Sequence, residues 1–97
     1  MIPITTHALR RYIERVIGFP CRCKSDTDAI AVFEEKTGRA AIDVLDIMRA
    51  DVEPKTPLSV LQNRTRRVIR GETARYIVDK GYVITCFTGE EFSEAAE

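Results

Sequence analysis

Two runs rich in β-branched and aromatic residues, Ala74 to Val78 and Tyr82 to Phe87, are joined by Asp79-Lys80-Gly81. Such runs across so short a polar link read as a β-hairpin. A hairpin alone is marginal in water and needs further strands or a helical layer over its apolar face. The stretch 65–70 supplies a third strand, which gives a three-stranded antiparallel meander. The chain before it carries helical patterning. The fold class expected is therefore α+β, with about three N-terminal helices packed on a C-terminal three-stranded antiparallel meander. At 97 residues, a single domain over 1–97 is expected, since two separate cores do not fit in such a length.

Pro3 with Thr5 or Thr6 opens the first helix. Apolar residues at Ala8, Leu9, Tyr12, Ile13, Val16 and Ile17 follow at helical spacing and stop at Gly18. Phe19-Pro20 breaks the pattern, and Cys21 to Lys24 reads as a loop. Ser25 or Asp26 caps a second helix, with Asp28 placing negative charge in its first turn. Its buried face is Ala29, Ile30 and Phe33, with Val32 beside them, and Gly38 is its stop. A third helix runs from about Arg39 to Ala50, with Ala41, Ile42, Leu45 and Met48 on one side. Pro54 and Pro57 bracket a connection. The next stretch reads two ways. It is either a helix with Leu58, Leu61 and Val68 on one face, or a short helical or irregular piece at 58–62 followed by a strand. The second reading is preferred.

Charge narrows the function classes. Net charge is zero, from 15 basic and 15 acidic side chains, but the charges come in blocks. Residues 1–24 carry five basic and one acidic group, and 25–53 carry three basic and eight acidic. Residues 54–80 carry seven basic and two acidic, and 81–97 carry four acidic and no basic. Two basic blocks brought together by the fold make a face that attracts phosphate, while alternating blocks also serve simply to solvate a surface. The acidic tail, 89–97, is expected to be flexible. No apolar stretch approaches the length of a membrane span, so no membrane partner is expected. Met1-Ile2-Pro3-Ile4 lacks the pattern of a signal peptide, and three Cys is an odd number. A reduced, cytoplasmic compartment is the expectation.

The first helix carries the most chemistry. His7, Arg11 and either Glu14 or Arg15 lie in a line along one face, opposite the apolar stripe. Arginines bind phosphate in bidentate fashion and stabilise charge that develops on it, and an imidazole moves protons near neutral pH. His7 is the only histidine, so any histidine-dependent mechanism uses it. A second group is Arg64, Arg66, Arg67, Arg70 and Arg75, five arginines without a lysine, with Arg64, Arg66 and Arg70 on one face of a strand. This group suits phosphate or carboxylate recognition, and equally a solvated face with ion pairs to the acidic helices. Cys21, Cys23 and Cys86 do not have the spacing of a structural zinc site. Cys86 reads as a small core or sheet residue. No phosphate-binding glycine loop, dinucleotide fingerprint or zinc-protease motif occurs, so no metal and no other cofactor is implied.

The opening Ile4-Thr5-Thr6-His7-Ala8-Leu9-Arg10-Arg11-Tyr12-Ile13-Glu14-Arg15-Val16 resembles the H-A-x-x-R-x-x-E-R segment of small phage and bacterial proteins. The close, Arg75 to Phe87, resembles their final hairpin with its V-x-T-[VC]-[LF] strand. Those proteins are grouped with the barnase, EndoU, colicin and RelE-like nucleases, which include many toxins. The resemblance covers about a quarter of the chain, at its two ends, and has no counterpart over about 18–64. It implies helices packed on a curved antiparallel sheet. It also implies a catalytic site of His7 and Arg11, with Glu14 or Arg15 one turn on and Thr85 on the last strand.

The leading expectation is a metal-independent, toxin-like endoribonuclease. His7 acts as acid or base, Arg11 and Arg15 stabilise phosphorane charge, and Thr85 positions a phosphate oxygen. The arginine group and Tyr82 contact RNA or another phosphate-bearing ligand through a basic face. The alternative is a non-catalytic phage or mobile-element protein that binds a host protein or nucleic acid, such as an anti-defence inhibitor. Partners on these readings are RNA, an antitoxin or a host protein. A third reading is a plain structural domain without phosphate affinity.

Overall fold

Among the described residues, four α-helices come in succession and three strands of one sheet follow. The computed structural model describes residues 2–88, and the flexible tail expected over 89–97 lies outside the described residues. The helices are α1 (Thr6–Tyr12), α2 (Asp26–Thr37), α3 (Ala41–Val52) and α4 (Leu58–Asn63). The strands are β1 (Arg67–Arg70), β2 (Arg75–Asp79) and β3 (Tyr82–Phe87), in spatial order β1-β2-β3 and antiparallel throughout. This is the α+β arrangement expected. No helix among the described residues is long and apolar enough to cross a membrane.

Local chemistry accounts for the boundaries. The Thr5 hydroxyl accepts from the Ala8 amide and caps α1, and the Ser25 hydroxyl does the same for α2 through the Asp28 amide. The first helix continues beyond Tyr12 as a π-helical turn, Ile13–Ile17. There the Ile13 carbonyl accepts from both Gly18 and Phe19, and Gly18 takes the left-handed conformation with φ 86°. Lys80 and Gly81 both have positive φ, as a tight two-residue hairpin between β2 and β3 requires.

The core lies between the helices and one face of the sheet. Ala8, Leu9, Tyr12 and Ile13 from α1 meet Tyr76, Val78, Val83 and Cys86 from β2 and β3. The Cys86 thiol donates to the Ala8 carbonyl at 3.7 Å, and the Tyr12 and Tyr76 rings stack 6.5 Å apart. Ile77 opposes Thr85 while Val78 opposes Val83, which leaves Ile84 as a bulge in β3. The bulge lets Val83 and Cys86, three apart, both face the helices. The N-terminal segment runs beside β3, with the Thr5 amide donating to the Val83 carbonyl and the Val83 amide to the Pro3 carbonyl.

Two expectations about faces are corrected. The buried stripe of α3 is Val44, Met48 and Val52, spaced four apart, with Ala41 and Leu45 only half-buried. Ile42, assigned to the core by pattern, is 59% exposed. In α4 the buried residue is Val60, and Leu58 is 66% exposed. Each stripe meets the core over a narrower arc than the apolar residues available, so the surplus faces outward.

The β1–β2 connection, Gly71 to Ala74, is shaped from a distance. Glu72 and Thr73 lack the positive φ that favoured hairpin turns use. Their amides donate instead to the Asp51 carboxylate of α3, at 2.6 and 3.1 Å. The Thr73 and Tyr76 hydroxyls also donate to Asp51, each at 2.8 Å, and Tyr12 joins through Thr73. A Cβ on Gly71 would collide with the Asp51 carboxylate, so this close approach requires glycine. Burial pushes the Asp51 carboxyl up, but the donors from Glu72, Thr73 and Tyr76 outweigh it and hold it below the usual carboxylate range. Burial, with Asp51 beside it, pushes the Tyr76 hydroxyl well up.

Asp51→Ala is expected to cost about 1–3 kcal/mol in urea unfolding, because it leaves several donors without their acceptor. The depressed carboxyl also fixes a pH dependence. Its contribution is complete above about pH 4 and is lost as pH falls through the lower value in the folded protein. Wild type should therefore lose stability in acid more steeply than Asp51→Asn, as read by unfolding at stepped pH. Equal acid slopes would remove Asp51 from this role.

Candidate functional site

With Ala8, Leu9 and Tyr12 of α1 and Ile13 of the π turn facing the sheet, the opposite side presents His7, Arg10 and Arg11 on α1 and Glu14 on the π turn. His7 and Arg11 meet at one-turn spacing, with the Arg11 Nε donating to the His7 Nε2 at 3.3 Å. The other ring nitrogen, Nδ1, lies 3.3 Å from Oδ2 of Asp26. The Arg11 guanidinium also donates to Oε1 of Glu14 at 2.8 Å. The result is a surface chain Asp26–His7–Arg11–Glu14, with the His7 side chain 46% exposed. Accepting at Nε2 assigns the proton to Nδ1, where Asp26 receives it.

Asp26 is the member that sequence reading did not place. Its position was visible as one of two candidate caps. Ser25 takes the cap, so the Asp26 carboxylate is left to turn toward α1. One oxygen meets His7 and the other meets Arg10 at 3.2 Å.

Arg10 does different work. Its guanidinium donates to the carbonyls of Cys21 (3.4 Å), Cys23 (2.5 Å) and Lys24 (3.3 Å). Its Nε lies 3.8 Å from Oε2 of Glu14, close enough for an ion pair but too long for a hydrogen bond. Arg10 thereby ties the 21–24 loop to α1 and delivers Asp26 to His7. Burial, followed by the Glu14 charge, raises the Cys21 thiol above its ordinary value. Cys86 is fully buried and donates to Ala8, so it is not exposed as a nucleophile.

The remaining residues of the expected site are distributed. The π turn swings Arg15 toward the sheet, where it donates to the Cys86 carbonyl at 3.0 Å and lies 4.5 Å from the Phe87 ring centre. Thr85 opposes Ile77, next to Cys86 but on the other face of the sheet. The structure thus brings His7, Arg11 and Glu14 together, sets Arg15 at the β3 edge, and puts Thr85 on the sheet's outer face.

That outer face collects much of the arginine group. Strand alternation and register place Arg66 just before β1, Arg70 on β1, Arg75 and Asp79 on β2, and Tyr82, Thr85 and Phe87 on β3. Arg66 lies 3.7 Å from Asp79, and Tyr82 is 46% exposed. Arg67 alternates to the helix side at the sheet margin. Arg64 is not on a strand, since it ends α4 in the left-handed conformation with φ 55°. A surface depression lies elsewhere, lined by Asp46, Arg49, Ala50, Glu53 and Pro54 at the end of α3. It contains none of these groups, and an extended polyanion needs a surface track rather than that hollow.

Comparison with known proteins finds no matching family model, no matching curated protein and no matching solved structure.

Arg10→Ala is expected to cost about 2 kcal/mol, because three carbonyls and Asp26 lose a charged donor. It should also release the 21–24 loop, so that Cys21 and Cys23 react faster with a thiol reagent while Cys86 does not. Unchanged labelling would show that Arg10 does not hold this loop.

Proposed function

We propose that this protein is a metal-independent endoribonuclease of toxin-like type, acting in the cytoplasm on single-stranded RNA. The observation that carries the reading is His7 held between Asp26 and Arg11 on an open surface. Asp26 orients the imidazole; Arg11 turns from Nε2 to the incoming phosphate, and the freed Nε2 takes the proton of an RNA 2′-hydroxyl. The 2′-oxygen then attacks the adjacent phosphorus. Arg11 binds the phosphate and balances the charge gathering on its oxygens. The P–O5′ bond breaks, and the 5′-oxygen takes a proton from water, which reaches this exposed site. The products are a 2′,3′-cyclic phosphate and a 5′-hydroxyl. Glu14 keeps Arg11 extended beside the ring.

Arg15 at the β3 edge lies between the His7 side and the outer face of the sheet. In this reading it guides the RNA backbone from one to the other. Arg70 and Arg75 meet phosphates there, Thr85 donates to a phosphate oxygen, and Tyr82 stacks on a base. No step uses a metal.

A second reading is a binding protein of phage or mobile-element origin directed at a host protein. Ile42 and Ile47, 59% and 44% exposed, accompany Asp43 and Asp46 on α3, so that surface combines apolar and acidic groups. Defined capture of one host protein, lost on Ile42→Asp, would favour it.

The direct test is cleavage of mixed-sequence single-stranded RNA in EDTA. Wild type should give cyclic-phosphate ends and should not cut 2′-O-methylated RNA. His7→Ala and Arg11→Ala should each lower the rate by about 10²–10⁴-fold. Cleavage that survives His7→Ala would overturn the mechanism. In binding to uncleavable RNA, Arg70→Ala should reduce the salt slope by about one, and Tyr82→Ala should weaken binding by about 1–3 kcal/mol.

A further inference from the structure

The outward edge of β1 offers backbone groups that none of the preceding chemistry uses, although the Arg70 side chain is shared with the proposed RNA surface. The Gly71 amide donates to the Ala74 carbonyl at 2.8 Å, which sets the phase of the β1–β2 ladder. Continued through the pairs Ile69↔Tyr76 and Arg67↔Val78, that phase turns the Arg67 and Ile69 backbones toward β2. The backbone N–H and C=O of Val68 and Arg70 therefore point away from the sheet. β1 is the terminal strand, and among the described residues nothing pairs with that edge. It lacks proline, one of the usual ways of closing an edge.

Charge selects the occupant. Arg66, Arg67 and Arg70 along this edge are all exposed, and Arg64 lies two residues before Arg66. A second copy pairing antiparallel about Val68 would set Arg66 opposite Arg70, so the arginines oppose self-association. A strand bearing carboxylates meets the same arginines favourably. The edge also presents donors and acceptors in alternation. RNA phosphates accept but do not donate, which leaves the Val68 and Arg70 carbonyls without partners. A peptide backbone satisfies both. We infer that β1 receives an extended acidic segment of a protein partner, which adds to the sheet as a fourth strand.

The test uses the intact protein and a short synthetic peptide alternating Glu with Val and Thr. Two further versions are N-methylated, one at each alternate set of residues. Binding is read by fluorescence anisotropy and by amide hydrogen exchange. The parent peptide should slow exchange at Val68 and Arg70 and leave Arg67 and Ile69, already bonded to β2, nearly unchanged. One methylated version should bind about tenfold or more weakly, and the other should match the parent. Equal binding by all three peptides would reduce the contact to charge alone and overturn the proposal. So would absence of protection at Val68 and Arg70, or protection there by an oligoribonucleotide and not by the peptide. None of these outcomes depends on RNA cleavage.

Discussion

The seating of α1 on β3 governs the rest of this molecule. Ala8 has no exposed surface and accepts from the Cys86 thiol, so helix and strand approach closely at that point. The Pro3 and Thr5 backbones bond to Val83 and hold the start of the helix in the same register. Once that side is committed, the angular positions of His7, Arg10, Arg11 and Glu14 follow from helical geometry. The surface chemistry of α1 is thus a consequence of its packing. Changes at Ala8 or Cys86 would move the His7 group without touching it.

Three arginines of α1 and its π turn divide three tasks. Arg10 is committed to loop carbonyls and Asp26, Arg11 to His7 and Glu14, and Arg15 to the β3 edge. Planar guanidinium groups with several donors suit all three, and lysine would not span two acceptors in the same way. Asp51 has a comparable place on the other side of the core. It sets the β1–β2 turn that the local sequence does not favour, and so fixes the phase in which β1 presents its open edge.

Much of the fold was legible. The Asp79-Lys80-Gly81 link and its flanking runs marked the β2–β3 hairpin, and Gly18 and Gly38 marked helix ends, because these signals are local. The rotation of α3 was not legible. Ile42 and Val44 are equally apolar, and only the position of neighbouring elements decides which is buried. The site was legible on α1, where His7 and Arg11 are one turn apart. Asp26 and Asp51 were harder to find, since each acts on residues 16 to 25 positions away. The separation of Arg15 from Arg11 depended on the π turn, which no local motif announced. Thr85 was placed with His7 by resemblance, and the face on which a strand residue points depends on register and bulge.

The central claim is that the fold holds His7 as an oriented base, with its proton on Nδ1 toward Asp26 and Nε2 an acceptor that Arg11 holds until substrate phosphate draws that arginine away. The most direct measurement is two-bond ¹⁵N–¹H correlation of the neutral His7 ring, in wild type and in Asp26→Asn. The account predicts the Nδ1–H form in wild type and a shift toward the Nε2–H form ordinarily favoured by free imidazole side chains in the variant. An Nε2–H form in wild type, or a tautomer indifferent to Asp26, would contradict it.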